Sequence, residues 1–351
     1  MTRRQWPPMP AEPVAYWNNP ELVLHYARST KTPTSTLKEI YTYTCGQPPG
    51  PLQSDLLAAV AGNPNSSTDL ITTLHTRWHT QVPLDRAVSS NRAASPTLLA
   101  WIAENSDRAV ARFTLRNPRV PVETLAAATT TNVEELATET STCPARIMLE
   151  SIAGNHAATT EILHTITVAA LADVGHRHDR SFDCTKLLKA VAGNPNVSPD
   201  TLDMIISNAA GRLDDTTCTH PTARQLSNLI EYAIRVAPAC PTGAIERAAH
   251  AAVDQPHRIQ EAIAGHENTP EHLLRLLEPD YPYKVSTVRV HRLRAYVDTL
   301  QTQARDHGQL LLDQGFPGWP LDLGRVLGQP RTITVTPAAR SGADTPTHIG
   351  T

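Results

Sequence analysis

Five residues of metal-binding type crowd into one short stretch of this chain: His176, His178, Asp179, Asp183 and Cys184. A zinc site closes its tetrahedron with a second, separated pair of ligands. Cys218 and His220 would have to come from another part of the chain, so the stretch reads as a solvated polar loop and no metal is expected. A second chemistry is electrostatic. Lys284, Arg289, His291, Arg292 and Arg294 lie in a helical stretch free of acids from 284 to 297, able to contact phosphate or an acidic partner. Val285, Val288, Leu293, Tyr296, Val297 and Leu300 share that helix, and Arg289 and Arg292 fall within their arc. Arginines placed so extend along apolar surface or pair with carboxylates of preceding elements, and this structural reading is favoured. A third chemistry is that of amides. Asn63, Asn91, Asn117, Asn155 and Asn194 recur in one phase. A row of side-chain amides along a groove can hydrogen-bond the backbone of an extended peptide. These five asparagines, with Arg289, Arg292 and Arg294, are therefore the candidate partner-binding residues. The competing reading makes each amide a cap for the carbonyls at its own helix end. The local Gly-Asn-Pro turn chemistry favours that second reading.

The elements that must position these residues are repeats. Leu56-Leu57-Ala58-Ala59-Val60-Ala61-Gly62-Asn63-Pro64-Asn65 returns with one difference at Leu187 to Asn196. Looser copies are Ser151 to Asn155, Thr114 to Pro118 and Ala262 to His266. Leu56, Leu57 and Val60 sit at helical spacing, Gly62 suits a left-handed helix end, and Pro64 forbids continuation. A second helix then opens on a hydroxyl N-cap before proline, as in Ser95-Pro96, Ser198-Pro199 and Thr269-Pro270. Helices this short are marginal alone and must lean on the next unit, which is the logic of a solenoid. The breaks fall at Asn63, Asn91, Asn117, Thr140, Asn155, Asn194, Ala237 and His266.

Composition narrows the classes. A net charge of -3 with interspersed signs argues against a polyanion-binding surface over the whole molecule. The five cysteines form no CxxC pair, and an odd number suits reduced thiols. The opening has no apolar signal region and no run is long enough to span a bilayer, so a cytoplasmic protein without a membrane partner is expected. Residues 1–50 read as a Pro-rich segment, with Trp6 and Trp17 folding back on a degenerate first unit. Residues 51–280 form the array, with an insertion near Ala172 to Asp183. Residues 281–306 form a C-terminal capping helix, and 307–351 a tail expected to be disordered, with a strand-like run from Thr332 to Thr336.

The units resemble the leucine-rich repeat variant family. The matching residues are Ala59 to Asn65, Ala190 to Asn196, Ser198-Pro199-Asp200-Thr201-Leu202 and Thr269-Pro270-Glu271-His272-Leu273-Leu274. That resemblance covers roughly residues 50–280 and implies an all-α, right-handed α-solenoid of alternating α- and 3₁₀-helices without strands. It also implies an interaction scaffold more than any reaction. One architecture of the family carries an iron–sulfur centre on an N-terminal cysteine cluster. Only Cys45 lies in that region here, so no cofactor is expected.

No Gly-rich phosphate loop, G-x-S-x-G or H-E-x-x-H occurs, so no catalytic residue is assigned and an enzyme is the less favoured class. The leading expectation is a scaffold that binds a protein or peptide on its concave face. The alternative is a nucleic-acid-binding solenoid of the HEAT-like DNA glycosylase type, for which Trp78, Trp101, Asp107 and Arg108 leave room. The oligomeric state is left open.

Overall fold

In a computed structural model of the chain, the residues described are 17–79, 82–138, 144–176, 184–213, 220–238, 240–251 and 256–313. Among them every regular element is an α-helix. The first eight are α1 (Pro20–Arg28), α2 (Thr34–Cys45), α3 (Pro51–Gly62), α4 (Thr68–Trp78), α5 (Val82–Ser90), α6 (Pro96–Asn105), α7 (Arg108–Thr114) and α8 (Val122–Thr138). There follow α9 (Pro144–Ala153), α10 (Thr160–His176), α11 (Cys184–Ala192), α12 (Pro199–Leu213), α13 (His220–Val236), α14 (Thr242–Ala251), α15 (Pro256–Ala264), α16 (Glu271–Leu277) and α17 (Pro282–Asp313). The 3₁₀ alternation implied by the family resemblance is not seen: the second helix of each pair is α-helical.

The chain divides into two compact units, one ending at Arg289 and one beginning at Val290, within α17. In the first, the odd-numbered helices stack in chain order from α1 to α15, each against the next. Of the even-numbered helices, α8, α10, α12 and α14 stack likewise, whereas α2, α4 and α6 pack chiefly on odd-numbered neighbours. Each turn after an odd-numbered helix has one residue at a fixed station: Ser29, Asn63, Asn91, Asn117, Asn155, Asn194, Ala237 and His266. Three residues before it stand Tyr26, Val60, Val88, Thr114, Ile152, Val191, Ile234 and Ile263, all buried, which form the spine of the core. Ladders of this kind put contacts between neighbours, so the thin core is continuous through all the helix pairs.

The turn is a proline-favoured β-turn. The N–H three residues after the station donates to the station's carbonyl, for example Ser66 to Asn63 at 3.0 Å and Val120 to Asn117 at 3.1 Å. Pro64, Pro118, Pro195 and Pro238 occupy the second position, where their fixed φ is already correct. The turn needs no left-handed residue: Asn63 has φ -70°, and none of the glycines at the repeat turns has a φ in the left-handed range. At Gly193 a Cβ would lie 2.8 Å from the Tyr232 hydroxyl, so there a missing side chain makes room rather than supplying a rare dihedral.

The two hydroxyl–proline motifs sit in different registers. Ser95 and Ser198 are four residues past the station and cap their helices, accepting from Leu98 N–H at 3.2 Å and Thr201 N–H at 3.1 Å. Thr269 is only three residues past it, and its hydroxyl turns inward to donate to the Ile263 carbonyl at 2.5 Å. Ser66 and Thr32 do the same to Val60 and Tyr26. Thr269 is thus no N-cap; Pro270 holds the cap position, without a side-chain hydrogen bond, and the helix begins at Glu271.

Three expected boundaries change. Asn155 bonds directly to the Asn117 repeat, so no unit stands between them; Thr140 itself lies outside the described residues. The insertion begins inside α10, which continues to His176. Helix α17 runs to Asp313, past the expected end at 306. Trp17 stacks on Tyr43 of α2 with ring centroids 4.5 Å apart. Trp6, His178, Asp179, Asp183, Cys218 and the Thr332–Thr336 run lie outside the described residues.

Candidate functional sites on the helical array

Three groups of side chains could do chemistry, and the structure separates them. The first is the asparagine row. Both protons of each amide are donated to carbonyls of the preceding repeat, at its station and two residues before. Asn63 reaches Ala27 and Ser29 at 2.7 and 2.9 Å. Asn91 reaches Ala61 and Asn63 at 2.6 and 2.8 Å, and Asn117 reaches Ser89 and Asn91 at 2.8 and 3.0 Å. Asn155 reaches Leu115 and Asn117 at 2.7 and 2.9 Å, and Asn194 reaches Ala153 and Asn155 at 2.7 and 2.8 Å. Each Oδ1 accepts the backbone N–H two residues on, as Asn155 does from Ala157 at 2.8 Å.

All five are buried, so their amides have no proton left for an extended peptide. The carbonyls they satisfy belong to the neighbouring repeat's helix end and not to their own, which corrects both readings of the row. The reason is geometric: the turn has already closed its own carbonyl, and the side chain faces the adjacent helix. Ladder chemistry replaces recognition chemistry. His266 substitutes in part, with Nε2 3.0 Å from the Ala237 carbonyl and Nδ1 accepting from Asn268 N–H. Ala237 has no side-chain donor, so one rung is missing. A second, outer row lies two residues on: Asn65, Asn196 and Asn268 each donate to two carbonyls of the previous turn. Arg119 fills the same place, bonding the Arg92 carbonyl at 2.9 Å.

The second group is the basic helix. Arg289 is held by Glu278 at 2.7 Å and Glu271 at 2.9 Å, and Lys284 approaches Glu261 at 3.4 Å. The carboxylates of the preceding helices therefore neutralise two of the cations. Arg292 is half-buried and Arg294 exposed. By contrast, α5 and α7 carry arginines that sequence reasoning passed over. The Arg86 guanidinium lies 4.0 Å from the Phe113 ring centroid and that of Arg112 lies 5.3 Å from it. Arg112 is half-buried, and Arg116, in the turn just after α7, is exposed. No carboxylate lies within ion-pair distance of these three among the described residues.

The third group, also unforeseen, is a buried pair. His75 Nε2 of α4 and Asp85 Oδ1 of α5 approach to 3.4 Å with side chains 7% and 10% exposed, yet neither atom makes a hydrogen bond. The distance alone reads as an ion pair. Burial argues otherwise, because it lowers the His75 pKa, with help from the neighbouring His79 charge. Burial also pushes the Asp85 carboxyl up to about 6, against the pull of His79 and with a smaller push from Asp107. Removing water from both groups outweighs an unmade hydrogen bond, so the imidazole stays neutral. Trp101 packs edge-on against His75 at 5.0 Å and near His79 at 6.0 Å. Repeat register could have revealed the pair: six residues before the station, Asp85 stands where Leu57, Leu149 and Leu188 stand.

The residues that left room for base-excision chemistry are otherwise engaged. Asp107 caps α7, accepting from Val110 N–H at 2.8 Å, and Arg108 pairs with Glu135. Among the described residues no group of three or more His, Cys, Asp or Glu side chains could hold a metal. No helix there is long and apolar enough to cross a membrane.

The fold and these sites define an all-helical protein of repeated helix pairs. No family model matches the chain and no curated protein matches it. A solved structure of an engineered protein is similar over 76% of this chain and 78% of that one, at 13% identity and a TM-score of 0.34.

Proposed function

We propose that this chain is a non-enzymatic helical-repeat scaffold of the leucine-rich repeat variant kind, a right-handed cytoplasmic solenoid that binds a protein or peptide. One observation carries the reading: buried stations are held nearly constant from repeat to repeat while a station that is half-buried or exposed is not. From Asn63 onward, five residues before each turn station the odd-numbered helices present Ala58, Arg86, Arg112, Glu150, Lys189, Tyr232 and Glu261 in succession. Over the same repeats, three residues before it the side chains are valine, threonine or isoleucine and all buried. A core that repeats beneath a face that varies is what a modular recognition surface requires, since each repeat offers one different contact. The asparagines support this indirectly, because they stiffen the rod that spaces those contacts.

The test is a peptide-display selection against the folded protein. Selected peptides should lose at least tenfold in affinity when Lys189→Glu or Tyr232→Ala is introduced. A selection that returns no binder overturns the reading, as does one whose binders ignore every one of these variable stations. Tight, salt-dependent binding of duplex DNA in its place would favour the nucleic-acid alternative.

A further inference from the structure

We infer that His266 makes the joint between α13 and α15 sensitive to pH: a proton taken up by its ring loosens the C-terminal helices of the array. Three observations carry it.

The first is its place in the ladder. Among the turn stations Ser29, Asn63, Asn91, Asn117, Asn155, Asn194, Ala237 and His266, the histidine is the one side chain that takes up a proton near neutral pH. An asparagine amide keeps its two donors and its acceptor at every such pH. His266 builds the same pair of functions from an imidazole. It gives its joint one bond to the preceding repeat where each asparagine gives two. The outer row adds Asn268, which donates to the Pro238 and Cys240 carbonyls and belongs to the same turn as the ring.

The second is the tautomer, fixed from both sides. A backbone N–H can only donate, so the Asn268 N–H, 3.1 Å away, requires a lone pair on Nδ1. The ring's one proton is then on Nε2 and is donated to the Ala237 carbonyl at 3.0 Å. This is a neutral imidazole with both nitrogens used. A second proton has only Nδ1 to go to, and there it faces the Asn268 N–H, donor against donor.

The third is enclosure without a counter-charge. The ring is buried, and no carboxylate lies within ion-pair distance of it among the described residues. Charged groups on the surrounding elements have other partners. Arg235 of α13 lies between Glu231 and Glu261 of α15, and Lys284 of α17 approaches Glu261. Glu246 of α14 stands beside His272, and Glu271 of α16 holds Arg289. Glu267, next in the chain, is exposed. The Cys240 N–H shares the Ala237 carbonyl with the ring, and burial pushes the Cys240 thiol up to about 12, so it stays neutral. An imidazolium in this place is stripped of water, has no carboxylate and meets a facing donor, so the protonated ring leaves it. The Asn268 N–H then loses its acceptor, and the Ala237 carbonyl keeps only the Cys240 N–H. The rung holds while the imidazole is neutral and is lost as pH falls through the range, about 8 to 5, in which imidazoles take up a proton.

The experiment is hydrogen exchange of the full chain read by mass spectrometry at pH 7.5 and 5.5, corrected for the pH dependence of exchange in unstructured peptides. Protection over residues 256–289 should fall about fivefold or more at pH 5.5, relative to residues 82–138 of the same molecules. His266→Asn installs the amide used at the other stations, and there the ratio should change less than about twofold. Groups that titrate elsewhere act alike in both proteins, so the difference between them reports on His266. An equal fall in parent and variant overturns the device, as does a parent ratio indifferent to pH. A second measurement does not depend on the variant: nitrogen-15 shifts of the His266 ring, assigned through its contact with the Asn268 N–H. The neutral form protonated on Nε2 is expected at pH 7.5; the form protonated on Nδ1, or an imidazolium at that pH, overturns the device.

Discussion

Replacing Asn155 with alanine should cost more than any other single truncation of a polar side chain in the array. The amide is fully buried and makes three hydrogen bonds, donating to Leu115 and Asn117 carbonyls at 2.7 and 2.9 Å and accepting from Ala157 N–H at 2.8 Å. Each bond contributes about 1 kcal/mol net, and a buried partner left unpaired costs roughly 1–3 kcal/mol more. The Asn117 carbonyl retains its turn donor, Val120 N–H, so it is not wholly orphaned. The Leu115 carbonyl and the Ala157 N–H lose more. A total of about 3–4 kcal/mol follows. Asn65→Ala is the matched control. It also removes two donated bonds, to Thr30 and Thr32, but on an exposed edge where water replaces them, and should cost under about 1 kcal/mol. Urea unfolding followed by circular dichroism measures both. Because repeat arrays can unfold in stages, the Asn155→Ala curve should also lose cooperativity between the repeats on its two sides. Equal costs for the two variants would refute the reasoning, as would a loss below about 1 kcal/mol for Asn155→Ala.

Other outcomes follow from the same structure. Ala237→Asn should restore the missing rung and raise stability by about 1 kcal/mol, seen as a higher melting temperature; a lower one would mean the station there differs. Asp85→Leu should stabilise the protein at pH 8, with the gain shrinking toward pH 4. The carboxyl pKa is raised from 3.8 to about 6, so its favourable contribution is complete below about 3.8 and is lost as pH rises through about 6. That swing is on the order of 2–3 kcal/mol. His75, pushed down by burial, acts oppositely: its contribution is present above its unfolded value and lost as pH falls through the folded one. Comparing Asp85→Leu with Asp85→Leu/His75→Leu across pH separates the two, and a flat difference between parent and Asp85→Leu would count against the buried pair. Among the described cysteines, partly exposed Cys45 should alkylate before buried Cys184 and Cys240. Burial pushes the Cys240 thiol up to about 12, and mass spectrometry of the native protein at pH 8 checks the order.

Much of the repeat frame was legible because turn chemistry is local. Gly-Asn-Pro and the Ser-Pro starts mark helix ends without any knowledge of packing, and Leu56, Leu57 and Val60 betray the buried stripe. The direction of the asparagine side chain was not legible, because it depends on the neighbouring helix and not on the turn. Thr269 illustrates the same limit: a one-residue shift in register converts a cap into an inward donor, and only the ladder defines the register. Arg289 was readable from its helix, since apolar neighbours on one arc forced it toward Glu271 and Glu278. The arginines on α5 and α7 were not, since Arg86 and Phe113 are distant in sequence and meet only when the repeats stack. Asp85 was hidden until the repeats could be superposed on their stations.

Hydrogen exchange of the asparagine side-chain amides, followed by NMR after transfer into heavy water, tests the ladder most directly. The account predicts that the amide protons of Asn63, Asn91, Asn117, Asn155 and Asn194 persist long after those of exposed Asn18 and Asn105 have vanished. Exchange of all of them at the rate of the exposed residues would contradict it.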